Sequence, residues 1–303
     1  GYFTKPPLIA WIIGLAHWIF GHHTWAVRLP ACWIHLITAL LLWRGASWLF
    51  GQRAGHLAAL IWISLPATGL GSFLISTDTP LLTLWSAGLL AICGITTGRL
   101  TSTTGMGLAG LAFGTAMLAK FAAIYALIGL MLAYLHGHVT QKKLFDWRGF
   151  GTALLAFVLA ASPNIIWNFA HEFSTVRHLG DNANISQQSA SMAGVWQFIG
   201  GQFAVAGPVV LLFMMIAAIT HWRDHKSRWL IWMSAPVFTF MIIQSYLSEA
   251  NANWAMTAFP ALTILLAGWL GKMQKRRYGI LSIGINFGLS LMVLLVTIAG
   301  SMG

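Results

Sequence analysis

Eight apolar runs constrain this chain more than any single residue does. They cover 29–50, 54–73, 79–97, 150–167, 195–219, 229–247, 254–271 and 279–300. An α-helix needs about 20 apolar residues to cross a hydrocarbon core roughly 30 Å thick. A ninth run, 105–135, is interrupted by Lys120. As one helix it would be about 46 Å long at 1.5 Å per residue, too long to span without severe tilt. Split at Lys120-Phe121, it gives two short helices that meet near one membrane face. Composition agrees: hydrophobic residues make up 58% of the 303 and charged residues 8%, against about a quarter charged in a soluble chain. So few charges cannot cover a water-soluble domain of this size, and disorder needs the opposite balance. The expected fold is an all-α polytopic transmembrane helix bundle in a single domain, 1–303. It has about ten spans between 29 and 300.

Loop charge orients the bundle. The formal net charge of +11 would suggest a nucleic-acid partner in a soluble protein; here it reads as cationic cytoplasmic loops, and no nucleic acid is expected. With the split, thirteen of the seventeen Lys and Arg fall on one side, in clusters such as Lys142-Lys143 and Lys275-Arg276-Arg277. Lys5, Arg28, Lys120 and Arg177 remain on the other side, together with Asp78, Glu172, Asp181 and Glu249. Without the split, every basic cluster after 135 moves to the wrong face. The first side is therefore cytoplasmic, and function is expected on the outer face.

Two segments lie outside the spans. Residues 6–20 are apolar but too short to cross, which suits an interfacial helix with Trp11 and Trp18 at headgroup level. The polar stretch 168–194 is the outer loop long enough to serve as a lid or acceptor-binding surface. Cys32 and Cys93 have no ligand or disulfide spacing and read as packing residues. The chain opens at Gly1 without an initiator Met or a charged leader, which leads to the expectation of an N-terminal truncation.

Several polar residues then stand out. Lys5, at the start of the interfacial helix, either holds an anion with the exposed N–H groups or snorkels to lipid phosphate. Asp78, ahead of Pro80, either caps the helix that follows or orders a site by pairing with Lys5 or Arg28. Lys120 costs about 2.5–3.5 kcal/mol if it lies deep, so it faces a polar cavity, a carboxylate or a bound anion, or else snorkels. Glu249, Asn251, Asn253 and Trp254 cluster at an outer helix start, where cap chemistry and a pocket shared with His171, Glu172 and Arg177 are both open.

These strings carry a family resemblance. Tyr2-Phe3-Thr4-Lys5-Pro6-Pro7-Leu8-Ile9-Ala10-Trp11, followed by Val27-Arg28-Leu29-Pro30-Ala31, resembles the polyprenyl-phosphate-sugar glycosyltransferases of the GT-C fold. Those include the protein O-mannosyltransferase and lipid A aminoarabinose transferase families. Ser76-Thr77-Asp78-Thr79-Pro80-Leu81, Leu118-Ala119-Lys120-Phe121, Ser162-Pro163 with Ile166-Trp167-Asn168, and Ala250-Asn251-Ala252-Asn253-Trp254 follow in the family's order. The resemblance implies an enzyme in the bacterial inner membrane with its active site on the periplasmic side. It would move a sugar from a polyprenyl-phosphate donor to a hydroxyl on a lipid, glycan or protein acceptor. Fixed cations would neutralise the leaving phosphate, with Lys5 first and Arg28 and Lys120 in support. Tyr2, His171, Glu249, Asn253 and Trp254 are the substrate-pocket candidates. The acceptor hydroxyl needs a carboxylate base. In the family this base lies upstream of the Lys-Pro-Pro string, so the expectation is either that it precedes Gly1 or that Asp78 substitutes.

Alternatives from other classes are a transporter or flippase for an anionic lipid, gated by the broken 105–135 segment, and a non-catalytic lipid-binding subunit. No cofactor is called for. The outer acids leave room for a divalent metal, although scattered carboxylates define no site. Gly105, Gly107 and Gly110 form a GxGxxG string with no preceding strand, so close helix packing is expected in place of nucleotide binding. His22-His23 lacks a third ligand, and Asn184-Ile185-Ser186 is a sequon of low specificity.

Overall fold

The computed structural model describes residues 6–140, 144–173, 190–272 and 276–302. Among these residues the chain forms fourteen α-helices, two 3₁₀ segments and no strand. The helices of the first half are α1 (Leu8–Phe20), α2 (Thr24–Phe50), α3 (Gln52–Ser64), α4 (Pro66–Phe73), α5 (Asp78–Thr96), α6 (Ser102–Met117), α7 (Tyr125–Val139) and α8 (Trp147–Ala170). The second half holds α9 (Met192–Ala206), α10 (Pro208–His221), α11 (Trp229–Trp232), α12 (Ala235–Leu247), α13 (Phe259–Lys272) and α14 (Arg276–Met302). The 3₁₀ segments Phe121–Ile124 and Ala252–Ala258 lead into α7 and α13.

Six helical stretches among the described residues are long and apolar enough to cross a membrane, and eight are if each of two bent pairs counts as one span. The protein is a multi-pass membrane protein. Two apolar runs read as straight spans in the sequence are broken. Within 54–73, α3 and α4 meet at 63°, and within 195–219, α9 and α10 meet at 102°. The cause of the sharper break is local. Gly207 adopts φ +81, open to glycine, and Pro208 starts the next helix without an N–H to give. The Asn286 amide closes the corner by donating to the Ala206 carbonyl at 2.7 Å.

The 105–135 run breaks as well. Helix α6 ends at Met117, Lys120 is extended (φ −159, ψ 138), and the chain re-enters helix through Phe121–Ile124. Lipid tails give helices no hydrophobic reason to associate, so contact rests on close packing of small residues. Helices α6 and α8 show this directly. A Cβ on Gly110 would collide with the Ala153 carbonyl, and one on Gly114 with the Phe157 carbonyl. The glycine string therefore serves helix packing. The edge-on contact of Trp85 with Phe113, at 5.3 Å between centroids, joins α5 to the same core.

Cationic groups gather at the end of the bundle away from Asp78. Arg44 and Arg99 lie against Trp48, Lys272 lies over Phe50, and Arg228 donates to the Thr140 hydroxyl. Asp146 caps α8 at this end, accepting from the Gly149 amide at 2.9 Å. Helix takes up both ends of the polar stretch read as 168–194: α8 continues to Ala170 and α9 starts at Met192. Residues 174–189, with Arg177 and Asp181, lie outside the described residues.

Candidate functional site

Three polar side chains from distant parts of the chain converge where α5 begins. Asp78 occupies the first turn of α5, and its own amide donates to the Ser76 hydroxyl at 3.3 Å. No side chain caps this helix. The Asp78 carboxylate, which the sequence allowed as a cap, points instead at two partners. Lys120 Nζ donates to Oδ1 at 2.7 Å, and Asn253 Nδ2 donates to Oδ2 at 3.1 Å. The N-terminus of α5 adds a favourable field for the carboxylate.

Each partner is held by its own backbone. The Leu118 carbonyl, freed by the end of α6, accepts from the Leu8 amide at 2.8 Å. This bond ties the start of α1 to the break that carries Lys120. A small apolar cluster of Leu81, Ala116, Ala119 and Ala123, with Leu8 packed against it, fixes the same junction. Asn253 belongs to the Ala252–Ala258 segment, and Gln202 of α9 donates to the Ala252 carbonyl at 3.2 Å. Trp254 is half-buried against Phe198, Val237 and Met241 and anchors the segment from below.

The Lys120–Asp78 contact is the one ion pair among the described residues, with side chains 27% and 16% exposed. An ammonium has three N–H donors. One is spent on Asp78, so Lys120 keeps two for an incoming anion. Both Asp78 oxygens are engaged, which suits holding and orienting the ammonium more than taking a proton.

The other sequence candidates are placed differently. Lys5 and Tyr2 lie outside the described residues. Arg28 is exposed on α2 and makes no ion pair among the described residues, where the partner of Asp78 is Lys120. Glu249 is exposed, and its backbone carbonyl is 3.5 Å from the Gln244 amide nitrogen. His171 stacks on Trp167 at 4.1 Å, with Nδ1 2.8 Å from the Trp167 carbonyl. Neither residue bonds to the Asp78 group. No three His, Cys, Asp or Glu side chains among the described residues converge as metal ligands. Sequence reasoning missed the Ser76–Asp78 hydrogen bond and the Leu8–Leu118 bond. Ser76, two residues before Asp78, carried a turn signal; a backbone bond leaves no trace in residue type.

Residues 4–167 match the family model described as dolichyl-phosphate-mannose-protein mannosyltransferase. The chain belongs to this family. A lipid A galacturonosyltransferase from Rhizobium johnstonii is 33% identical over 98% of this chain and 63% of its own length. An undecaprenyl phosphate-alpha-4-amino-4-deoxy-L-arabinose arabinosyl transferase from Pectobacterium atrosepticum is 28% identical over 89% of this chain and 50% of its own. The chain thus spans only part of the length of the curated relatives it matches. Among solved structures, ArnT from Cupriavidus metallidurans bound to undecaprenyl phosphate superposes with a TM-score of 0.72 at 20% identity. That match covers 98% of this chain and 54% of ArnT. The fold is therefore the ArnT-like GT-C fold, as the resemblance implied.

Proposed function

We propose that this chain forms the membrane-embedded, phosphate-gripping part of a glycosyltransferase. Its donor would be a sugar carried on a polyprenyl phosphate, and its acceptor a hydroxyl of lipid A, on the periplasmic face of the inner membrane. The observation that carries the reading is Lys120, fixed by Asp78 at a helix break with two N–H groups to spare. As the sugar leaves, negative charge builds on the lipid phosphate, and a cation already held in place stabilises it with little reorganisation. Lys5 precedes Leu8 by three residues, a reach of about 10 Å at most, and Leu8 is bonded to the segment carrying Lys120. Lys5 is thus a second cation for the same phosphate. Asn253 and Trp254 line the acceptor side. Asp78 acts as a positioning residue for Lys120 and Asn253, and Arg28, exposed on α2, greets the donor headgroup. The interfacial reading of α1 fits its 13 residues and its exposed Trp11 and Trp18. The transporter or flippase alternative draws no support from the named relatives, which are transferases.

Thermal melts of the purified protein with added undecaprenyl phosphate test the grip. Lys120→Ala should abolish most of the stabilisation that the lipid confers on the unaltered protein. Equal stabilisation of both would remove the basis for the reading.

A further inference from the structure

At the end of the bundle away from Asp78, two arginines share one indole. Arg44 lies 5.2 Å from the Trp48 ring centroid and Arg99 lies 5.4 Å from it, while Arg44 also approaches Trp43 at 5.9 Å. The two guanidinium carbons are therefore no more than about 11 Å apart. The backbone fixes this meeting. Gly98 takes φ +70, and the Arg99 amide turns back to donate to the Gly94 carbonyl at 2.9 Å. That turn delivers Arg99 from the end of α5 to the side of α2.

Neither guanidinium makes an ion pair or hydrogen bond among the described residues. Each guanidinium offers five N–H donors in a planar fork. Helix-end charge complementarity does not account for them, because the last turns of α2 and α5 contain no basic residue. Like charges brought together, exposed and without an acid are a ready site for an anion. Leu36 and Leu40 are exposed on the same face of α2 as Arg44, at successive four-residue steps, so an apolar strip leads from the guanidinium into the membrane.

We propose that Arg44, Trp48 and Arg99 form a binding site for the phosphate headgroup of an anionic phospholipid, in the leaflet opposite the Asp78 end. The strip through Leu36 and Leu40 receives one acyl chain. This site is separate from the one proposed for transfer and does not depend on it.

The test uses the purified, delipidated chain, titrated with phosphatidylglycerol in mixed micelles and followed by thermal melting. Phosphatidylglycerol should stabilise the protein more than phosphatidylcholine or inorganic phosphate does. Arg44→Gln with Arg99→Gln should raise the titration midpoint by about fivefold per arginine. Arg53→Gln, at the same end but outside the cluster, should move it less than either. Lys120→Ala should leave it unchanged, which separates this site from the transfer site. An unaltered midpoint in the double variant overturns the proposal, as does equal stabilisation by phosphatidylcholine or by inorganic phosphate. Should the double glutamine variant fail to fold, Arg44→Lys with Arg99→Lys keeps the charge and removes the planar forks. Weaker phosphatidylglycerol binding is then expected, and unchanged binding overturns the site.

Discussion

Lys120 and Asp78, 42 residues apart in sequence, meet at 2.7 Å at the point where α6 has ended and α5 begins. The pair answers a problem each residue has alone. A lysine between two short apolar helices needs an anion, and a carboxylate at the same depth needs a cation. Together they leave a net vacancy on the ammonium side, since Lys120 has two donors unspent.

If the pair works as a unit, its two members should not contribute independently. On the proposed function, Lys120→Ala is expected to reduce sugar transfer to lipid A by about 100-fold or more, the scale of losing one fixed group that stabilises transition-state charge. Asp78→Asn should cost less, about tenfold, because the cation remains and only its orientation suffers. Adding Asp78→Asn to Lys120→Ala should cost less than Asp78→Asn costs alone, because only its hold on Asn253 is then left to lose. A double-mutant cycle on transfer rates in membranes measures this coupling, and strictly additive losses would show that the two residues act separately.

Asn253 touches Asp78 but not Lys120. Asn253→Ala therefore leaves the ion pair whole and removes one neutral donor. A fall in transfer of about tenfold or less is expected, with undecaprenyl phosphate binding unchanged in thermal melts. Loss of that binding would place Asn253 on the donor side.

Much of this arrangement was legible in the sequence, and the illegible part has a physical cause. Hydropathy located the helices because in lipid the solvent itself demands about 20 apolar residues. The break at Lys120 was legible because a buried charge is costly enough to stand out. Partner choice was not. Asp78 could have met any outer cation, and only the Leu8–Leu118 bond and the packing of Leu81 on Ala116 and Ala119 decide for Lys120. The corner at Gly207 was hidden for a related reason. Apolar composition continues straight through it, and a single Gly-Pro pair inside such a run does not announce a 102° bend.

Asp146 gives the opposite end of the bundle a measurable pH response. The Gly149 amide holds its carboxyl below the ordinary value of 3.8; solvent loss opposes this, and the Ser102 hydroxyl assists. A folded pKa below the unfolded one means the stabilisation is fully present above that ordinary value. It is lost as pH falls through the lower folded value. The unaltered protein should therefore lose thermal stability below about pH 4. Asp146→Ala should start lower and show a shallower acid response. Parallel curves for the two proteins would indicate that the cap carries no proton linkage.

Helix α6 packs closely on α8 and leads directly into the Lys120 break, so packing there should control stability before it controls chemistry. Gly110→Leu would drive a side chain into the Ala153 carbonyl of α8, a backbone atom that cannot swing aside. A loss of about 3 kcal/mol or more is expected, at the upper end of overpacking penalties. Gly151, also on α8, has open space where a Cβ would go. Gly151→Ala should therefore be neutral or stabilise the protein by up to about 1 kcal/mol. Thermal melts in detergent compare the two directly. If Gly110→Leu melts with the unaltered protein, α6 and α8 are not in the close contact that positions Lys120 against Asp78.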